Sequence, residues 1–401
     1  MKVLIADKFP DVKIEGIKNI GYEVVYEQGL KEDLLLEEIK KQLPDVLVVR
    51  STSVTGEMIE SDPSLSLIIR AGSGYNTIDV KTASVRSVYV ANCPGKNAIA
   101  VAELAFGHLL SLDRRIPDNV LDLREGRWNK KEYSKAAGVY GKTLGIVGVG
   151  RIGQELITRA KAFGMGVLAW SRSLTPKRAE ALGILYAKSP LEVAAKSDVV
   201  SVHLALTEDT KGLIGREFFV EMKKGAFFIN TSRAEIVDEA ALLKAVDEKG
   251  IRAGLDVFST EPSAKAGDFA GTIAKSRGVY GTHHIGASTD QAQNAVADET
   301  VRILEEYMLT GHVYNCVNLM EKTPASYMLS VHHKNRVGVL ANVLDIIRKA
   351  NINVELMENI IFAGGDGACA RIQIDGKMTA KDIEEMESSS EEITSVSQVS
   401  I

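Results

Sequence analysis

Short apolar runs alternate with amphipathic stretches from the start of the chain. Residues 3–6, 23–26, 46–49 and 67–70 read as strands, a helical candidate follows the first of them, and residues 31–42 carry a helical pattern. Apolar strands separated by helices predict a parallel sheet with covered faces. A second series of the same kind predicts strands at 143–147, 167–170, 198–204, 226–231, 251–258 and 279–283, enough for a doubly wound sheet. Two long helical patterns, 98–112 and 290–309, flank this series and are natural places for the chain to cross between domains. If it crosses twice, residues 1–97 and 288–320 form one discontinuous domain and residues 98–287 a domain inserted within it. The cleft between the two is then the expected active site.

The pattern changes after residue 324. Strands at 326–332, 353–358 and 368–374, helices at 338–350 and 379–386 and a last strand from residue 395 give the order β-α-β-β-α-β. That order predicts a ferredoxin-like third domain over 325–401. The expected fold class is therefore α/β, with an added α+β module.

Composition narrows the partners. The chain has 401 residues, 45% of them hydrophobic and 25% charged, with a net charge of −5, which is ordinary for a globular protein of two or three domains. Nucleic acid is not an expected partner. No apolar run approaches bilayer length, so no membrane partner is expected either. Cys93, Cys316 and Cys369 lie far apart with no C-x-x-C pair, which argues against a disulfide framework or a zinc knuckle and for a reducing compartment. The first apolar run stops short of a signal-peptide core, and the cytoplasm is the expected location.

The chemistry begins at Gly148-Val149-Gly150-Arg151-Ile152-Gly153, between a predicted strand and a predicted helix. In such a turn the first glycine permits the bend and the second lets backbone approach a pyrophosphate. The third allows close packing, while the helix N-terminus meets the phosphate charge. Three residues stand at or just beyond later strand ends: Arg233, Glu261 and His284. Histidine suits proton transfer from a hydroxyl, arginine suits a carboxylate, and a carboxylate beside the histidine orients the ring. His283 precedes His284, but neighbouring strand side chains point to opposite faces, so no metal site is expected there.

The order of Gly148-x-Gly-x-x-Gly, Asn230-Thr-Ser-Arg233, Asp256-Val-Phe-Ser-Thr-Glu261-Pro and His284-Ile-Gly-Ala-Ser-Thr289 resembles the D-isomer-specific 2-hydroxyacid dehydrogenases. The likeness runs from Met1 to about Asn318. It implies a Rossmann-type nucleotide-binding domain inserted in a flavodoxin-like substrate domain, with Arg233, Glu261 and His284 catalytic. It also implies a cofactor site lined by the glycine turn, Arg151, Ile152, Ser171, Arg172, His203, Thr231, Ser232, Arg233, His284 and Gly286, with Asp256 near the nicotinamide carboxamide. On the substrate side it points to Arg50, Ser51, Ser73, Gly74 and Asn97, the amides of Ser73 and Gly74 holding a carboxylate. The implied reaction partner is a small phosphorylated 2-hydroxy acid, with Arg50, Lys96 and Lys130 as the cations open to its phosphate.

Residues 333–340 with 351–353 resemble an ACT domain, a regulatory module that commonly binds amino acids. That likeness implies L-serine as effector, contacted by His333, Asn335 and Asn353, and a homodimer or homotetramer. The chain departs from the family at His283, where proline is frequent, at Ala234, where glycine is, and at Val337, where the ACT loop commonly has proline. Ser171-Arg172-Ser173 stands where an NAD-selective site presents an acidic residue, so NAD is the expected cofactor with NADP left open. Two other readings stay open: a glyoxylate or hydroxypyruvate reductase on this scaffold, and a nicotinamide-sensing, corepressor-like binding protein without turnover.

Overall fold

The computed structural model describes residues 1–262 and 267–401. Strands β1 (Lys2–Ile5), β2 (Glu23–Tyr26), β3 (Val46–Val49), β4 (Leu67–Arg70) and β5 (Tyr89–Asn92) pair in parallel in the order β2-β1-β3-β4-β5. This is the flavodoxin-like order. Alternate residues serve opposite cores, because strand side chains alternate faces. Val3, Val46, Val48 and Leu67 pack on Ile14 and Ile17 of helix Asp11–Ile20, while Leu4, Leu47 and Ile68 pack on Leu35 and Ile39 of helix Asp33–Gln42. Strand β5 has no counterpart among the predicted elements, being short and ending in the polar Asn92.

Strands β6 (Thr143–Val147), β7 (Gly166–Trp170), β8 (Leu185–Tyr186), β9 (Val199–Val202), β10 (Phe227–Asn230), β11 (Arg252–Leu255) and β12 (Val279–Gly281) form a second parallel sheet, ordered β12-β11-β10-β9-β6-β7-β8. The order reverses beside β6, and such a switch point is where open α/β sheets bind ligands. Helix Ala98–Arg114 packs Ala102, Ala105, Leu109 and Leu112 into this sheet's core. Helix Asp290–Thr310 returns Val296, Ala297, Ile303 and Leu304 to the core of the first sheet.

One boundary differs from the expectation in a way that matters. Strand β12 stops at Gly281, and Thr282 turns the chain by donating its amide to Leu255 and its hydroxyl to Asp256. His283 and His284 therefore lie on a loop, with His284 at φ +52°, so the alternation of strand faces does not govern them.

Residues Met1–Asn318 make one compact unit and Leu319–Ile401 a second. In the second, β13 (Tyr327–Lys334), β14 (Val354–Ile361), β15 (Gly367–Ile374) and β16 (Ile393–Ser400) form an antiparallel sheet ordered β14-β15-β13-β16. Helices Val339–Lys349 and Ala380–Ser388 share its core through Val343, Ile346, Ile347 and Met386. No helix among the described residues is long and apolar enough to cross a membrane.

Phe228 is fully buried between Phe218 and Phe219, with ring centroids 6.5 and 5.2 Å away. Phe228→Ala should cost about 3–5 kcal/mol of stability, read as a lower midpoint of chemical denaturation.

Candidate active site

The glycine turn is built by two constraints inside the protein and one outside it. Gly148 has φ +106° and donates its amide to Trp170 at 2.8 Å; a side chain there would strike the His203 carbonyl. Gly153, in the first turn of helix Arg151–Ala162, lies against the Gly148 carbonyl with equally little room. Gly150 is different. Its φ is −83°, and a side chain there would meet nothing within 4 Å. The protein's own packing does not call for glycine at that place, whereas close approach of a phosphate group does.

Just past the ends of β9 and β10, Nδ1 of His203, next to the turn, and Oγ1 of Thr231, two strands from β6, are buried and have no hydrogen-bond partner among the described residues. Orphaned polar atoms at the carboxyl ends of sheet strands are what a polar ligand would satisfy. With the open face of Gly150 they fit a dinucleotide. Ser232 is held by the Asn230 side-chain oxygen, through its amide at 3.0 Å and its hydroxyl at 2.7 Å. Ile152 packs into the core below the turn, and Arg151 lies across Gly95 in the loop that leads to helix Ala98–Arg114. Beyond β7, Ser171 is half-buried and Arg172 is exposed, 4.0 Å from Asp209.

At the far strands the structure brings His284 and Glu261 together. Glu261 Oε2 accepts from Nδ1 of His284 at 2.8 Å, and its Oε1 accepts from the Phe258 amide at 2.9 Å. This leaves Nε2 of His284 for a substrate. The bond to Glu261 raises the His284 pKa above the usual histidine value, and burial only partly opposes it. Burial pushes the Glu261 carboxyl up, but the bonds from His284 and Phe258 outweigh it and hold the group below its usual range. The left-handed backbone of His284 is strained for a non-glycine residue, by about 1–3 kcal/mol. Asp256 sustains it: buried, it accepts from the amides of Ile285 at 2.9 Å and Gly286 at 2.8 Å.

The other wall of the cleft comes from the first sheet. Buried Asp7 accepts from the amides of Arg50, Ser51 and Thr52 at 2.7, 3.0 and 3.1 Å, fixing the loop after β3. Ser73 donates its hydroxyl to Asn97 at 2.7 Å. The Arg233 guanidinium lies directly over Gly74, and that of Arg70 over Gly72. Arg70 escaped the sequence reading, although a lone cation at the end of the apolar run Leu67-Ile68-Ile69 is a usable signal. Its pKa is pushed down to about 10, by burial first and then by Arg233 and Arg50. Its Nε has no partner, and no ion pair among the described residues involves Arg50, Arg70 or Arg233. Lys96, by contrast, is paired with Glu299 at 3.0 Å, and Lys130 lines a surface hollow with Leu123, Trp128 and Tyr133.

In the second unit the expected effector residues do not converge within one chain. His333 is 4% exposed, with Nδ1 2.8 Å from the Lys334 carbonyl and Nε2 3.2 Å from the Asn359 amide oxygen. Asn335 binds the Gly365 carbonyl in the adjoining loop. Asn353 immediately precedes Val354, which pairs with Ile374, while His333 pairs with Ala368 at the other end of β15. At 3.4 Å per residue the separation is roughly 20 Å.

A doubly wound sheet, a glycine turn open to a pyrophosphate and a His–Glu pair beside an arginine define a nicotinamide-dependent oxidoreductase. The chain belongs to the D-isomer-specific 2-hydroxyacid dehydrogenase family. Residues 106–291 match that family's NAD-binding domain. The chain is 38% identical to the D-3-phosphoglycerate dehydrogenase of Methanocaldococcus jannaschii, over 93% of this chain and 67% of that protein. It is 42% identical to the hydroxypyruvate reductase of Thermotoga maritima, over 67% of this chain and 87% of that one. The NAD+-bound 3-phosphoglycerate dehydrogenase of Entamoeba histolytica superimposes with a TM-score of 0.66 at 27% identity, covering 80% of this chain and 99% of that one. The chain spans 67% of the length of the Methanocaldococcus protein and 61% of that of the D-3-phosphoglycerate dehydrogenase of Archaeoglobus fulgidus.

The His284–Glu261 bond predicts an imidazole that stays protonated above the ordinary histidine pKa. NMR titration should place the His284 midpoint above about 6.5. In Glu261→Gln the midpoint should fall, because burial then acts without the carboxylate.

Proposed function

We propose that this protein oxidises 3-phospho-D-glycerate to 3-phosphooxypyruvate. The observation that carries the reading is the trio Arg50, Arg70 and Arg233, none of which makes an ion pair among the described residues, while Asp7 and Glu261 act on Arg70 and Arg233 only through space. Like charges held together in a partly buried cleft are costly unless an anion joins them, and a substrate with both a carboxylate and a phosphate supplies enough negative charge. The relatives named phosphoglycerate dehydrogenase point to the same substrate.

The glycine turn at Gly148, Gly150 and Gly153 would hold a nicotinamide cofactor, which would supply the hydride acceptor for the C2 hydrogen. His284 takes the hydroxyl proton at Nε2, as Nδ1 is committed to Glu261. Glu261 orients the ring and stabilises the imidazolium that forms, while Arg233 binds the carboxylate and the developing carbonyl. Since His284 must be neutral to accept a proton, oxidation should rise with pH through its raised pKa, and reduction of the oxo acid should fall through it.

The cofactor preference rests on the end of β7. With Ser171 and Arg172 in place of a carboxylate, we take NAD as the cofactor and NADP as tolerated, its 2′-phosphate meeting Arg172. The second unit is read as a regulatory module. Serine bound by His333, Asn335 and Asn353 together requires two copies of it, given the distance between them. Reduction of hydroxypyruvate, the reaction in the name of the Thermotoga maritima relative, is the second reading. It leaves the third arginine without a phosphate to bind.

Steady-state rates decide among these. Purified protein should turn over 3-phospho-D-glycerate, and absence of activity with either cofactor sinks the assignment. Arg70→Met should raise its KM by about tenfold to a hundredfold with a smaller effect on hydroxypyruvate, as one charge-assisted contact is lost. His284→Ala should lower kcat by about 10²–10⁴-fold, and unchanged turnover would remove it from the acid/base role. Arg172→Ala should weaken NADP by about tenfold and spare NAD.

A further inference from the structure

The buried face of helix Ala98–Arg114 is apolar except at His108 and, in its last turn, Asp113, which accepts from the Gly138 amide. His108 is 5% exposed and takes no part in the proton transfer described above. Its ring lies over Gly254 in β11, where a Cβ would stand 2.7 Å from the His108 Cβ. Glycine at that position makes room for the imidazole. Nε2 of His108 reaches Oγ1 of Thr282 at 3.1 Å, and Oγ1 of Thr282 donates to Oδ1 of Asp256 at 2.6 Å.

The direction of these bonds follows from counting protons. A threonine hydroxyl has one hydrogen, and here the Asp256 carboxylate takes it. Oγ1 of Thr282 can therefore only accept from His108, which fixes the proton on Nε2. The chain runs imidazole N–H to hydroxyl to carboxylate, each member polarising the next. It ends at the amides of Ile285 and Gly286, which Asp256 accepts, directly after left-handed His284. The same helix also supports the turn directly, for a Cβ at Gly286 would stand 3.4 Å from a Val101 methyl.

We propose that His108 is a positioning residue for His284, acting through Thr282 and Asp256 to fix the turn that presents the imidazole. The proposal rests on the reading of His284 as the acid/base, but the hydrogen-bond chain can be tested apart from it. Hydrogen exchange of the full chain without ligand reports the Ile285 and Gly286 amides directly. His108→Leu and Thr282→Val should each speed that exchange by about fivefold or more, the effect of losing one hydrogen bond. With 3-phospho-D-glycerate, kcat should fall by a similar factor while KM changes less than about twofold. His108→Gln keeps an N–H of similar reach and should recover both. A double variant should be no worse than the worse single one, because both break one chain.

Unchanged exchange and kcat in His108→Leu would overturn the proposal, as would a Gln variant as impaired as the Leu variant. Loss of the fold in one variant leaves the others and the exchange data to decide. If His284→Ala keeps its turnover, the functional reading fails while exchange still judges the chain.

Discussion

The site depends on a buried carboxylate that makes no ion pair among the described residues. Asp256 is 1% exposed, and its charge is met by a hydroxyl and two backbone amides. Hydrogen bonds to the charged form replace the water that burial removes. The geometry this imposes is specific, since both amides follow a residue in the left-handed region, and that residue is His284. Were the carboxylate lost, the amides of Ile285 and Gly286 would lose their acceptor, the buried one at about 1–3 kcal/mol, and the turn would lose what holds its shape.

The first sheet uses the same device. Asp7, just past β1, collects three consecutive amides of the loop that carries Arg50, as Asp256, just past β11, collects the amides behind His284. Each aspartate stands at the carboxyl end of a parallel strand, where the chain must leave the sheet and its amides lose their ladder partners. A short acidic side chain satisfies them and freezes the departing loop at once. The long helices Ala98–Arg114 and Asp290–Thr310 then tie the two sheets into one unit. The cleft is walled by loops that are rigid for local reasons.

Much of this was legible in the chain. Apolar runs located most of the parallel strands because burial on both faces demands them, and the glycine spacing marked the phosphate turn. The short β5 and β8 were hidden, one by a polar end and one by having two residues. The end of β12 was misjudged because Thr282 looks like strand, while its side chain and amide are spent on a turn closed by residues far away in sequence. Arg70 and His108 were missed for a shared reason: each sits in an apolar run where pattern reading rewards the neighbours and passes over the exception. The placing of Asn353 near one end of the sheet and His333 near the other is what no local pattern encodes.

The gathered arginines bear on how the molecule lasts as well as on how it reacts. Arg70 is held beside Arg50 and Arg233 with an unpartnered Nε, so mutual repulsion and an unmet donor oppose the fold at this point. An anion that relieves both binds the native chain and not the unfolded one, and so shifts the folding equilibrium by mass action. On the proposed reading the substrate is such an anion, and its binding would then guard the native chain against unfolding and proteolysis.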